Sequence, residues 1–232
     1  MTYLGGASFL FLAQPSRAAI ANPGFTGSIS TPTFEIAEHG TMALSFSWLE
    51  GTHTYLRSPM TNRLYTVTAG ILPGLEATLR LTEMVGWHDP TVPGVKFGND
   101  RMFSAKYRIP LSSSLPAVAV GIQDIASANY LTGVSRTDPR QAYGHAFIYA
   151  VTGTDFQWGS WHLGFGSSQA FIQGFFGGTT FRVTRRLHLI LEHDSRTINW
   201  GVRISPFDSL WLQVGRISDD TWALSSTFHF SL

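Results

Sequence analysis

Cysteine is absent from the 232 residues, which removes disulfides, thiolate metal centres and cysteine nucleophiles at once. Charge is scarce too: Asp, Glu, Lys and Arg make up 13% of the chain, about half the usual share. The net charge of +1 gives no single-signed field to attract nucleic acid or an acidic partner. No stretch approaches the roughly 18 to 20 consecutive apolar residues of a membrane-spanning helix. A soluble domain should carry more charge, and a helical membrane protein should be far more apolar than the mean hydropathy of +0.05.

What the chain does have is aromatic residues (13%), 23 glycines and a recurring two-residue alternation. From Thr41 onward, apolar and polar or small residues alternate in segments bounded by turn signals. Met42, Leu44, Phe46 and Trp48 share one face, opposite Thr41, Ala43, Ser45 and Ser47. The pattern returns in Arg63 to Ile71, Leu75 to Thr82, Arg101 to Ile109, Ala117 to Asp124 and Gly144 to Val151. It continues in Gly159 to Gly166, Gln173 to Val183, Leu187 to Asp194, Thr197 to Ser205, Ser209 to Arg216 and Thr221 to Leu232, twelve segments in all. The outward sets, such as Tyr65-Val67-Ala69-Ile71 and Phe103-Ala105-Tyr107-Ile109, are free of charge. Strand charges fall on the other face: Glu76, Arg80, Lys106, Arg108, Arg182, Glu192 and Arg203. A lysine or arginine facing the bilayer midplane costs roughly 2 to 4 kcal/mol, so this segregation suits a lipid-facing surface.

Connections alternate in length. Leu72-Pro73-Gly74, Pro110 to Leu115, Thr184-Arg185-Arg186 and Pro206-Phe207-Asp208 are short, whereas Leu49 to Asn62, Val85 to Asp100 and Ile125 to Tyr143 are long. Short turns at one rim and long loops at the other are the outer-membrane pattern. An even strand number also places both ends of the barrel at the short-turn rim. These features predict an all-β, transmembrane, antiparallel up-and-down barrel of about twelve strands, formed by residues 41–232, in the bacterial outer membrane. A soluble β-sandwich shares the alternation but should carry surface charge. The aromatic last strand, Thr227 to Leu232, is similar to the terminal signal read by barrel-insertion machinery.

The N-terminal portion reads differently. Ala7 to Ala13 is a short apolar run, and Ala19-Ile20-Ala21 fits a small-x-small processing site. Residues 1–21 are expected to be a signal remnant or an ordered segment that plugs the barrel. Residues 22–40 are expected as a lead-in at the periplasmic rim or in the lumen.

Several stretches carry a family resemblance. They begin with Gly24-Phe25-Thr26-Gly27-Ser28-Ile29-Ser30-Thr31-Pro32 and Glu38-His39-Gly40-Thr41. Leu72-Pro73-Gly74-Leu75-Glu76-Ala77 with Arg80 comes next, then Lys106-Tyr107-Arg108 leading into Leu115 to Asp124. Phe175-Phe176-Gly177-Gly178 and Leu191-Glu192-His193-Asp194, with Asn199, Gly201 and Arg203, complete the series. In this order they resemble the YjbH-type outer-membrane proteins linked to exopolysaccharide production, with His193 standing where tyrosine is usual. The resemblance implies a single barrel unit, a link to extracellular polysaccharide or to other envelope-complex subunits, and no established catalytic residues.

The inward ionic set admits two readings, a pore lining that selects solutes or a network filling a closed interior. A passive diffusion pore is therefore one alternative to a non-enzymatic envelope scaffold. A lipid hydrolase is another, since His193, Asp194, Ser195 and Asn199 are residue types of a nucleophile–base site; a turn is the simpler reading of them. His162, His188 and His229 can face the lumen but lack metal-ligand spacing. Trp48, Trp87, Trp158, Trp161, Trp200, Trp211 and Trp222 fall near strand ends, as interfacial girdles do. The expected partners are outer-membrane lipid and an envelope polysaccharide or complex, with no cofactor, metal or nucleic acid.

Overall fold

In the computed structural model the chain forms a closed barrel of twelve antiparallel strands, each hydrogen-bonded to its neighbours in sequence. The structure describes residues 19–50, 61–85, 98–125, 147–167, 172–218 and 221–232. The strands are β1 (Thr41–Leu49), β2 (Asn62–Leu72), β3 (Leu75–Met84), β4 (Gly98–Ile109), β5 (Ala117–Gln123) and β6 (Phe147–Phe156). They continue with β7 (Gly159–Ser167), β8 (Gln173–Arg182), β9 (Leu187–His193), β10 (Ile198–Phe207), β11 (Leu210–Ile217) and β12 (Thr221–Ser231). β1 closes on β12, with Thr41 opposite Ser231 and Leu49 opposite Ala223, so no sheet edge is left unpaired. The expected barrel and its strand number hold. A sandwich is excluded, because one sheet closes on itself.

Several strands run further than their sequence pattern suggests, among them β3, β4, β6 and β10. β6 continues past Val151 through Thr152-Gly153-Thr154-Asp155, where apolar residues no longer alternate, and pairs with β7 as far as Phe156 opposite Gly159. β10 reaches Phe207 through a register irregularity between Ile204 and Phe207, so Pro206 sits where the ladder is already interrupted. The tight β2–β3 turn depends on Gly74, whose φ of +84° favours glycine. The interiors of the three long connections, the Ala7 to Ala13 run and Trp87 lie outside the described residues.

The two faces of the barrel differ as a lipid-spanning wall requires. Leu44, Phe46, Tyr65, Val67, Leu79 and Phe103 point outward and are exposed. Ser45, Thr66, Thr68, Thr78 and Ser104 on the same strands are buried inside, where the Thr68 and Thr78 hydroxyls meet across strands at 2.9 Å. The outer face is not wholly free of charge, however. Arg63, Glu83, Arg101 and Arg216 take outward register positions, all close to the long-loop rim. Arg63 pairs with Glu83 at 3.6 Å, and the Arg216 guanidinium lies 4.9 Å from the Trp222 ring centroid. At that height a charge reaches headgroups and water rather than hydrocarbon, so its cost falls to about 0–1 kcal/mol. Trp200 and Trp222 pack edge to face at the same level. Trp211 departs from the girdle, turning inward between His188 and Arg203.

Candidate functional site

The lumen is occupied. Residues 19–34 lie inside the barrel, and every one of them is buried. Their sequence, rich in Gly, Pro, Ser and Thr, has neither helical nor strand period, so it forms turns rather than a ladder. Some backbone groups pair locally: Ala21 N–H donates to Phe25 O at 2.8 Å, Asn22 N–H to Ile29 O at 2.9 Å, and Gly27 N–H to Ala19 O at 2.7 Å. Buried irregular backbone leaves further donors and acceptors that must find partners. The barrel wall supplies them from its ionic and amide side chains.

One clasp is built on β3 and β4. The Glu76 carboxylate accepts from Thr26 N–H (3.2 Å) and Ala37 N–H (2.8 Å), and the Thr26 hydroxyl lies 2.9 Å from it. Lys106, opposite Glu76 in the ladder, forms a buried ion pair with it at 3.4 Å. The same ammonium donates to Thr26 O at 2.8 Å, to Thr33 O at 3.3 Å and to the Thr26 hydroxyl. A second clasp stands on β9 and β10. Glu192 accepts from three successive backbone N–H groups, Ile29 (3.1 Å), Ser30 (2.8 Å) and Thr31 (3.3 Å). It also accepts from the Thr31 hydroxyl (2.8 Å) and the Asn199 amide (3.0 Å). Among the described residues no cation is ion-paired with Glu192. The plug thus presents a nest of N–H groups to a wall carboxylate.

Further side chains hold the plug's carbonyls. Arg203 donates to Gly27 O and Ser28 O and is itself fixed by Gln213 at 2.8 Å. Arg80 and Gln123 both reach Pro23 O, at 2.9 and 2.8 Å. Apolar knobs complete the fit. Phe25 packs on Tyr149 with ring centroids 5.6 Å apart. Ile29 fills the space where side chains on Gly201 and Gly215 would stand, and the Phe34 ring does the same at Gly153.

Of the seven ionic residues singled out in the sequence, Glu76, Arg80, Lys106, Glu192 and Arg203 are buried around the plug. Arg108 and Arg182 do not join them. Both are exposed at the short-turn rim, and Arg182 pairs with Asp155 at 3.4 Å. Sequence reasoning passed over Gln123 and Gln213, uncharged wall residues that also bind plug carbonyls, and singled out Asn199 for a hydrolase site or a turn rather than for its bond to Glu192. Their signal was the inward register they share with the charged ones. Inward glycines on strands, which mark close approach of another chain segment, were a second clue.

The His193-Asp194-Ser195 group forms a turn. His193 is exposed while its neighbour Glu192 is buried in the lumen. Asp194 accepts from the backbone N–H groups of Arg196 and Thr197 at 3.1 and 2.9 Å, and Asn199 donates to it at 3.0 Å. Ser195 has a φ of +76°, and its hydroxyl oxygen accepts from Gln173 N–H at 3.0 Å. Among the described hydrogen bonds none links Ser195 to His193. His162 is buried against the Thr31 hydroxyl at 2.9 Å. No group of three or more His, Asp or Glu residues converges on a metal-sized site among the described residues.

Where the chain leaves the lumen, a recess of about 740 Å³ opens at the short-turn mouth. Phe34, Glu35, Glu38 and His39 of the plug form one side, and Arg108, Ser112 and Asp155 of the wall form the other.

A closed barrel with an apolar outer belt, a polar interior and aromatic rims defines an outer-membrane β-barrel. Residues 20–134 are similar to the family YjbH, described as "Exopolysaccharide biosynthesis protein YbjH". The match takes in the plug from Ile20 onward and β1 to β5, and so includes the Glu76 clasp. Among solved structures the fold is similar to a KdgM porin, with a TM-score of 0.54 and 9% identity over 81% of this chain and 99% of that one. It is also similar to an outer membrane channel from Pseudomonas putida F1, with a TM-score of 0.54 and 11% identity over 88% of this chain and 100% of that one. No curated protein matches the sequence.

Proposed function

We propose that this protein is a non-enzymatic, plugged outer-membrane barrel that supports export or assembly of an extracellular polysaccharide as a structural part of an envelope complex. The observation that carries the reading is the filled lumen. Glu76, Lys106, Glu192 and Arg203, the residues best suited to line an aqueous path, are instead spent on the backbone of residues 26–37. Buried charges are tolerated when paired or well hydrogen-bonded; Lys106 and Glu76 pair with each other on the wall, and the plug supplies hydrogen bonds to Glu76, Glu192 and Arg203. The family match adds the polysaccharide link.

Deleting the protein from the bacterium that makes it is expected to reduce surface polysaccharide while leaving uptake of small solutes unchanged. An unaltered polysaccharide coat overturns the reading. A second reading, a passive diffusion pore, draws on the names of the two solved channels of like fold. Planar-bilayer recording separates the two. The plugged scaffold gives no stepwise current, whereas steady ohmic steps from the intact chain favour the pore.

A further inference from the structure

The lumen is filled, so binding has to take place on an exposed concave surface. We infer that the recess at the short-turn mouth is a saccharide-binding site, taking a short stretch of a polyhydroxylated pyranose chain. This rests on the polysaccharide role proposed above and assigns it a place on the molecule. The recess has a volume of about 740 Å³, within the roughly 300–1,000 Å³ of small-ligand sites. It is built from both parts of the protein, so its shape depends on the plug being seated. Ala37 N–H is held by Glu76, and the Phe34 ring lies over Gly153, which fixes the segment from Phe34 to His39 against the wall.

The lining matches the ligand class. A pyranose ring presents hydroxyls around its rim and a C–H patch on its faces. Carboxylates accept two hydroxyls at once, a guanidinium donates a fork of N–H groups, and serines do either. Glu38, His39 and Arg108 are exposed, and among the described residues their side chains make no hydrogen bond or ion pair with the protein. Ser112 and Ser114 form an exposed hydroxyl pair at 3.0 Å on the same β4–β5 connection. Ile36, Leu111 and Leu115 give apolar surface for the C–H faces. The lining sets three carboxylates, Glu35, Glu38 and Asp155, against the guanidinium of Arg108, which disfavours a phosphate. Among the described residues no metal-sized group of ligands converges there, and a hydroxyl-rich chain fits it better.

The test uses the full-length barrel in detergent, titrated with cellohexaose and with an alginate hexamer as neutral and acidic probes. At least one is expected to bind in the millimolar range or tighter. R108A and E38Q, both at exposed positions, should each weaken it about tenfold, with heat-modifiable migration retained. R63A, at the opposite rim, should leave it unchanged. Failure of both hexamers to bind, or binding that R108A and E38Q retain, overturns the assignment. If the hexamers fail yet deletion strips the coat, the recess reading falls alone. If they bind and the coat persists, the polysaccharide role falls alone.

Discussion

The two clasps hold one segment by different chemistry. At Glu76 a counter-ion is present: Lys106 lies 3.4 Å away and also binds the carbonyls of Thr26 and Thr33, so the charges cancel within the clasp. At Glu192 the partners are neutral: three backbone N–H groups, one hydroxyl and one amide converge on the carboxylate. A buried carboxylate can thus be satisfied by an opposite charge or by a shell of dipoles, and the two solutions fail in different ways. An ion pair leaves a charge behind when one partner goes. A dipole shell leaves several unmet donors when its anion goes.

The largest loss is expected from Glu192→Ala. It orphans donors on Ile29, Ser30, Thr31 and Asn199 in a buried setting, where each unmet group costs about 1–3 kcal/mol, for a total of about 4 kcal/mol or more. Urea unfolding in lipid vesicles, followed by tryptophan fluorescence, measures it. A loss no larger than that of an exposed substitution would refute the dipole-shell account. Lys106→Met comes next, at about 3–5 kcal/mol, because Glu76 then keeps a buried charge without its counter-ion, and the carbonyls of Thr26 and Thr33 lose their donor. The clasps part company in the rescue. Glu76→Gln added to Lys106→Met should restore about half of that loss or more, since a neutral pair replaces a lone charge. No second substitution on the wall can play that part for Glu192→Ala, whose unmet donors are mostly backbone.

Gly201→Ala probes the apolar seat between the clasps. In an ordinary strand the change is favourable by about 0.5–1 kcal/mol. Here the added Cβ would stand 2.7 Å from Val214 O and 2.9 Å from Ile29 Cδ1, so a destabilisation of about 1–3 kcal/mol is expected. Combining it with Ile29→Ala should give less than the sum of the two losses in the same unfolding assay. A stabilised Gly201→Ala variant would mean that Ile29 does not occupy this seat.

Much of the barrel was legible because lipid on one side and a polar interior on the other enforce a period of two. The reading faltered where that force is weak. Thr152 to Asp155 continue β6 with no apolar alternation, because a strand end near the rim no longer meets hydrocarbon. Arg63 and Arg101 point outward for the same reason. Face was readable for Arg108 and Arg182, but height decides burial, and both sit within a residue of a strand end at the rim. The plug was legible only coarsely, as a lead-in over residues 22–40 at the periplasmic rim or in the lumen, with residues 1–21 left as a signal remnant or a plugging segment. Its structure has no period, and its main contacts join residues as distant as Thr31 and Glu192, 161 positions apart. Glu192 could be placed on the inward face, yet nothing local to it specifies three backbone donors from the other end of the chain.

The smallest effect should come from the rim, where the same residue types meet water. Arg182 and Asp155 approach to 3.4 Å, like Lys106 and Glu76, but their side chains are 42% and 50% exposed against 1% for both clasp residues. Water solvates either rim charge once its partner is gone, and long side chains lose entropy in holding the pair. Arg182→Ala is therefore expected to cost under about 1 kcal/mol and to lose what effect it has in high salt. Lys106→Met should keep its full effect there, because salt does not reach the lumen. If Arg182→Ala matched Lys106→Met, burial would not be what separates rim from clasp, and the case for a wall built around its plug would fail with it.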